Sequence, residues 1–185
     1  DILDIGAASS KPGSKAIPVE LETERIAKAV KIDRQIAPEV LISVDTYRAS
    51  VAAKALELGA SMINDISAGL LDEAMVPLVQ SAGVPYIIMH MRGTPEDMNI
   101  AQNLMYNDLA ADIIRFFAER IHFLHQHGIH QLIIDPGFGF SKNVQLNFEL
   151  LRKLPLFQII ETPILVGLSR KSMIYKTLQS SAEEA

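Results

Sequence analysis

Three observations predict an α/β fold of repeated strand–helix units. Six short, β-prone apolar runs each end in polar residues or glycine, stretches with helical spacing lie between them, and residues of chemical interest collect at the C-terminal ends of the runs. The alternation implies parallel strands joined by right-handed crossovers. Polarity confined to one end of every strand is the mark of a (β/α)8 TIM barrel, whose sites are built from the loops that follow the strands. A doubly wound open sheet also binds ligands at strand C-termini, but in one crevice served by a few strands. Six contributing strand ends favour the barrel. A complete barrel takes ~250 residues, whereas this chain has 185 and supplies about six units. One domain over residues 1–185, lacking the first and last strands of the barrel, is therefore expected. An open seam would leave two unpaired edges, which soluble proteins avoid, so the chain is expected to be part of a longer protein.

Strands are predicted over residues 1–6, 40–46, 61–67, 85–91, 132–137 and 163–169. The clearest helix runs over 106–127, where Leu109, Ile113, Phe117, Ile121 and Leu124 recur at three- and four-residue steps. Residues 20–36, 48–58, 72–82, 144–154 and 171–178 fit the same role, and Gly59, Gly83 and Gly128 stand where helices should end.

Composition narrows the functions available. With 49% hydrophobic and 21% charged residues the chain can bury one substantial core. A formal charge of −5 argues against a general nucleic-acid binder, so any anionic ligand must be met by local cations. There are no cysteines, which excludes disulfides and thiolate metal sites and fits a reducing compartment. The apolar runs are too short to span a bilayer and no basic leader opens the chain, so a soluble cytoplasmic protein without membrane or nucleic-acid partners is expected.

The stretch L-I-I-D-P-G-F-G-F-S-K, residues 132–142, carries the strongest site signal. A buried strand delivers Asp135 to its exit, where Pro136, Gly137 and Gly139 stop it at once. Phe138, Phe140 and Lys142 in the same loop are expected to wall a ligand pocket. The first strand runs into D-I-G-A-A-S-S-K-P-G, where Ser9, Ser10 and Lys11 suit a phosphate or carboxylate, although an ordinary surface loop is the better reading of that stretch alone. Asp45 closes I-S-V-D-T and either caps the next helix or accepts two hydrogen bonds from an amino-substituted heterocycle. Asn64 and Asp65 are adjacent and point to opposite faces. Asn64, with both donor and acceptor, suits a nitrogen heterocycle better than a carboxylate does.

In M-H-M-R-G-T-P, Met89 and Met91 alternate with His90, so methionines against a planar ligand leave His90 as a buried structural residue. Arg92 to Pro95 reads as a turn. Gly167 in V-G-L-S-R-K-S lets a ligand approach the backbone, and Lys171 and Ser172 open a helix suited to phosphate. Arg170 reads as a solvated charge. His122, His125, His127 and His130 read as a solvated helix end rather than a metal site.

The segments I-S-V-D-T, I-N-D-I-S, M-H-M-R-G-T-P, I-D-P-G-F-G-F-S-K and V-G-L-S-R-K-S occur in the order of one known family, and on them the chain resembles the dihydropteroate synthases, the folate-pathway transferases inhibited by sulfonamides. The resemblance implies condensation of 6-hydroxymethyl-7,8-dihydropterin diphosphate with p-aminobenzoate to 7,8-dihydropteroate, with release of pyrophosphate. It implies Asp45, Asp135 and Lys171 as catalytic residues, and Asp45, Asn64, Met89, Asp135, Gly167 and Lys171 around the pterin. Ser10, Lys11, Pro12, Phe140 and Ser172 would face the diphosphate and p-aminobenzoate. It also implies Mg²⁺, whose family ligand lies on the absent first strand, so no metal ligand is expected in this chain, and a homodimer. Lys11 stands where the family usually has arginine. The charge is kept and the planar fork is lost, so a weaker or rearranged contact is expected there. The alternatives are a non-catalytic pterin-binding module and a corrinoid-linked pterin methyltransferase, which would not need Lys171, Ser172 or the loop at Phe138 to Phe140.

Overall fold

The computed structural model describes residues 1–9 and 16–184. Five strands and six α-helices alternate: β1 (Ile2–Gly6), α1 (Val19–Ile36), β2 (Leu41–Asp45), α2 (Ala49–Glu57), β3 (Met62–Asp65), α3 (Met75–Ala82), β4 (Tyr86–Met89), α4 (Leu109–Gln126), β5 (Leu132–Asp135), α5 (Val144–Lys153) and α6 (Ser172–Leu178). All pairings are parallel, and the spatial order is β1-β2-β3-β4-β5. Each strand lies beside its neighbours in sequence and the order never reverses. A doubly wound sheet requires a reversal, so this is an arc of a (β/α) barrel.

Strand alternation divides the apolar residues between two faces. Ile42, Val44, Ile63, Tyr86, Ile88, Leu132 and Ile134 pack against helix residues such as Ile26, Val30, Val51, Ala55, Val79, Ile113, Phe117 and Leu150 in one core. The residues between them, Ser43, Asp45, Met62, Asn64, Ile87, Met89, Ile133 and Asp135, therefore share the opposite face. The register agrees, since Asp45 pairs with Asn64 and Met89 with Asp135.

Helix ends follow local chemistry. Asp108 accepts hydrogen bonds from the amides of Ala110 and Ala111, which starts α4 at Leu109 rather than at residue 106. Asp72 gives one oxygen to the amide of Ala49, at the start of α2, and the other to Ala74, so α3 starts at Met75 rather than at residue 72. Gly83 and Gly128 adopt left-handed φ angles of 64° and 75° just past α3 and α4. No helix among the described residues is long and apolar enough to cross a membrane.

The sixth expected strand is not formed. Residues 163–169 run beside β5 and exchange two hydrogen bonds with Ile134, from its amide to Pro163 O (2.9 Å) and from the Leu165 amide to its carbonyl (2.8 Å). That is a single isolated bridge, Ile134 to Ile164. Among the described residues nothing pairs on its far side, and a turn that bonds the Lys171 amide to Leu168 O follows. β-prone residues do not make a strand without a ladder to join.

Candidate functional site

Asp45, Asn64, Met89 and Asp135 reach one face of the sheet at the C-terminal ends of four adjacent strands, as the alternation requires. Asp4 joins them from β1, two residues before the Gly6 that pairs with Asp45. Asn64 Nδ2 donates to Asp4 Oδ2 at 3.1 Å. A side chain on Gly6 would put its Cβ 3.4 Å from Asp45 Oδ2, so glycine there lets the carboxylate lie across β1. Neither loop chemistry nor motif had marked Asp4. Its parity with Gly6 on a strand that borders Asp45 was the available signal.

Crowding of carboxylates sets the electrostatics. The Asp45 carboxyl is pushed up to about 7, first by burial and then by the charges of Asp4, Asp65, Glu22 and Asp135. Asp135 is also raised, mainly by burial, while the Gly137 amide bonded to its Oδ1 at 2.8 Å and the charges of Lys171 and Lys142 oppose the shift. Asp45 does not cap α2. Arg48 occupies the cap position, and the Asp72 carboxylate bonds the Ala49 amide.

Lys171 completes the group. Its Nζ lies 4.9 Å from the centroid of the Phe140 ring, in cation–π range. Its stem passes Gly139 and Gly167, where an added Cβ would stand 3.4 Å from Cδ and 3.9 Å from Cε respectively. At Gly167 an added Cβ would make only ordinary van der Waals contact with the lysine stem. Asp135 feels Lys171, Asp45 feels Asp135, and Asn64 bonds the Asp4 that acts on both carboxylates. These groups converge at one mouth.

Beside that mouth lies a cavity of about 250 Å³, bounded by Asp45, Thr46, Arg48, Ser9, Glu22 and Thr94 among others. Buried Glu22 holds it open by accepting from Arg48 Nη1 at 2.6 Å and from the Thr46 hydroxyl at 2.7 Å. Asn64, Asp135 and Lys171 lie outside its wall, so Asp45 is the point at which cavity and inner face meet.

Other expectations need correction. Phe138 does not wall a pocket, because it is buried in the core between sheet and helices. Lys142 lies beneath the loop with 4% exposure and turns inward. Ser172 begins α6, but that helix has seven residues, too few for a developed dipole. Ser10, Lys11 and Pro12 lie outside the described residues. Met89 is buried under the inner face, His90 is buried and faces Lys142 Nζ through Nδ1, and Arg170 is exposed. His122 contacts Gln126, His127 contacts the Phe123 carbonyl, and His125 and His130 lie with ring centroids 5.0 Å apart. Among the described residues no group of three or more histidines or carboxylates is placed to hold a metal.

Gly137 is the tightest point of the site. Its φ is +76°, and a Cβ there would lie 2.1 Å from the His90 carbonyl oxygen, a rigid backbone atom. Gly137→Ala is expected to cost at least about 2 kcal/mol of stability in a urea titration. It is also expected to displace the amide that orients Asp135. A loss below about 0.5 kcal/mol would contradict this packing.

The family described as pterin binding enzyme matches residues 1–185. The chain is 39% identical over 180 residues to the dihydropteroate synthase of Synechocystis sp., covering 96% of this chain and 61% of that protein. It is 39% identical over 185 residues to the dihydropteroate synthase of Escherichia coli K12, covering 99% and 64%. Among solved structures, the Yersinia pestis dihydropteroate synthase in a sulfonamide drug complex superposes with a TM-score of 0.93 at 36% identity, over 99% of this chain and 66% of that one. The Xanthomonas albilineans dihydropteroate synthase with 4-aminobenzoic acid superposes with a TM-score of 0.90 at 37% identity, over 100% and 65%. The chain thus spans less than two thirds of the length of these relatives. With a match along its whole length and these superpositions, the chain belongs to the pterin-binding enzyme family.

Proposed function

We propose that the mouth grips the pterin ring of 6-hydroxymethyl-7,8-dihydropterin diphosphate, and that the chain serves a dihydropteroate synthase. The observation that carries this reading is the crowding around Asp45. A carboxyl held near 7 by burial and by other carboxylates calls for a ligand that brings N–H donors. The aminopyrimidinone edge of a pterin brings adjacent donors of that kind, and Asn64 answers an edge that both donates and accepts. Relatives solved with 4-aminobenzoic acid and with a sulfonamide support the second substrate and its competitor.

In the reaction the aromatic amine attacks the pterin methylene. A carbon–nitrogen bond forms, the carbon–oxygen bond breaks with its electron pair leaving on pyrophosphate, and the amine sheds one proton to solvent. Electron density from the dihydropterin ring relieves the charge on the methylene, so the ring must be held with its donors satisfied. Asp45, Asn64 and Asp135 would do this, with Lys171 beside Asp135 fixing the ring's acceptor edge. Phe140 and Ser172, with Ser10, Lys11 and Pro12, would border the diphosphate and p-aminobenzoate. The amine is unprotonated at neutral pH and needs no dedicated base. Mg²⁺ enters the proposal through the resemblance alone, and would stabilise the departing pyrophosphate. A homodimer remains part of the proposal through the resemblance alone.

The alternative reading is a pterin-binding unit without turnover, since what the described residues gather is a pterin mouth. A coupled assay for pyrophosphate separates the two. Release that depends on p-aminobenzoate and falls with a sulfonamide supports the synthase. Pterin binding without release identifies the binding unit, and absence of pterin binding refutes both.

A further inference from the structure

We infer that Lys142 is a positioning residue of this site, gathering two loop carbonyls and one imidazole nitrogen so that the loop after β5 presents Asp135 and Phe140 in working geometry. The inference rests on the pterin reading above. Lys142 Nζ lies 3.1 Å from Gly137 O, 3.0 Å from Phe140 O and 3.1 Å from His90 Nδ1, with His90 O more distant at 3.5 Å. As an ammonium Lys142 donates to all three, and as a neutral amine it donates to the two carbonyls and accepts from His90 Nδ1–H, so the same three partners are gathered in either state. Burial pulls this ammonium down to about 7, and the charge of Asp135 opposes the fall. Opposite the ammonium, His90 presents a bare Nδ1 and carries its proton on Nε2. Burial and the charges of Lys142 and Arg92 hold it neutral, well below the usual imidazole range.

The loop is shaped around this point. Gly137, Gly139 and Ser141 all have positive φ, at 76°, 83° and 46°. The first and last of the gathered segments both lead to the site. The Gly137 amide bonds the Asp135 carboxylate, and the Phe140 ring lies against Lys171. Asn147 locks the base by donating to Lys142 O and accepting from the Gly139 amide, at 2.9 and 2.7 Å. Tyr106 and Arg92 tie the same loop to the one after β4. The Tyr106 hydroxyl donates to Ser141 O, the Arg92 amide donates to Ser141 Oγ, and the Arg92 guanidinium stacks on Tyr106 at 3.9 Å. Lys142 Nζ bonds the Gly137 and Phe140 carbonyls and its charge acts on Asp135, so its effect on a ligand passes through Asp135 and Phe140.

The test uses this chain and the fluorescence of 6-hydroxymethylpterin, with the Lys142→Ala and Lys142→Gln variants. Both are expected to unfold cooperatively and to bind pterin about 10- to 100-fold more weakly. Ethylammonium, which fits the space vacated in Lys142→Ala, is expected to restore affinity there and to leave the unaltered chain unchanged. Unweakened binding by folded Lys142→Ala overturns the proposal. So does a loss that ethylammonium cannot restore, which would mark a merely structural role. If neither variant folds, nitrogen NMR of the unaltered chain decides. At pH 7 a Lys142 Nζ resonance that moves on pterin binding supports the proposal. A lysine signal indifferent to pterin overturns it. Failure of the unaltered chain to bind pterin overturns the pterin reading itself, whereas binding that survives in the variants overturns only the role of Lys142.

Discussion

Asp45→Asn is expected to make the protein more stable and the ligand site worthless at the same time. The folded-state pKa of Asp45 is about 7, above its ordinary 3.8. Between those values the folded chain holds a proton that the unfolded chain releases, so the contribution of Asp45 to stability falls as pH rises through the window and levels off above 7. Asparagine does not titrate. The two proteins should therefore match near pH 4, and the variant should gain about 1 to 2 kcal/mol by pH 8, or roughly 3 to 6 °C in Tm. Discounting for the residue's partial exposure and for its coupling to Asp4 and Asp135 keeps the figure at that level. Pterin affinity should fall about 100-fold, because an amide nitrogen turned toward the ligand's N–H groups replaces an acceptor by a donor. Thermal melts at pH 4 and pH 8, combined with a pterin titration, check both halves. A variant less stable at pH 8 would refute the crowding on which the site reading depends.

Asp65→Ala should produce the largest loss of stability, with no ligand contact involved. Asp65 is fully buried on the helix-facing side of β3 and accepts from the Ser67 amide and hydroxyl, the Gly69 amide and the Tyr86 hydroxyl, all between 2.6 and 2.7 Å. Its carboxyl is raised by burial against the pull of these four donors. Removing the acceptor strands three buried donors and the partly buried Gly69 amide, and loosens the turn after β3, whose Ala68 carbonyl also holds Arg120 Nε at 2.6 Å. The cost should be about 3 to 5 kcal/mol in urea unfolding, a large share of the stability of an ordinary domain. Tyr86→Phe, which removes one donor and leaves the other three bonded, should cost about 1 kcal/mol. A loss below 1 kcal/mol for Asp65→Ala would show that water reaches these groups.

Much of this arrangement was legible in the residues. Five of the six apolar runs became paired strands because each has a neighbour on the correct side, and alternation alone placed Asn64 and Asp65 on opposite faces. The sixth run failed for a reason no local pattern contains, since a strand exists only with a ladder to join. Asp45, Asn64, Met89, Asp135 and Lys171 were readable because strand exits in a barrel share one mouth. Asp4 was hidden because it lies inside the first strand rather than at its exit, where the other site residues stand. Lys142 and Phe138 were misplaced because a glycine-rich loop can turn successive side chains to any side. The alternation of left-handed residues from Gly137 to Ser141 that decides the matter is a property of the folded backbone. The role of Asp72 was invisible for a similar reason, as it caps a helix 23 residues earlier in the chain.

The convergence of Asp45 with Asn64, Asp135 and Lys171 on one pterin is tested most directly by the protons exchanged on binding. Calorimetric titration of 6-hydroxymethylpterin into this chain at pH 7, in two buffers of different ionisation enthalpy, counts them. With its carboxyl pushed up to about 7, Asp45 holds a proton in part of the molecules there, and a ligand that feeds it N–H donors must drive it to the carboxylate. Net release of protons on pterin binding, less than one per site, is the expected result. Binding with no proton release, with Asp45 still titrating near 7 in the complex, would place the ligand elsewhere.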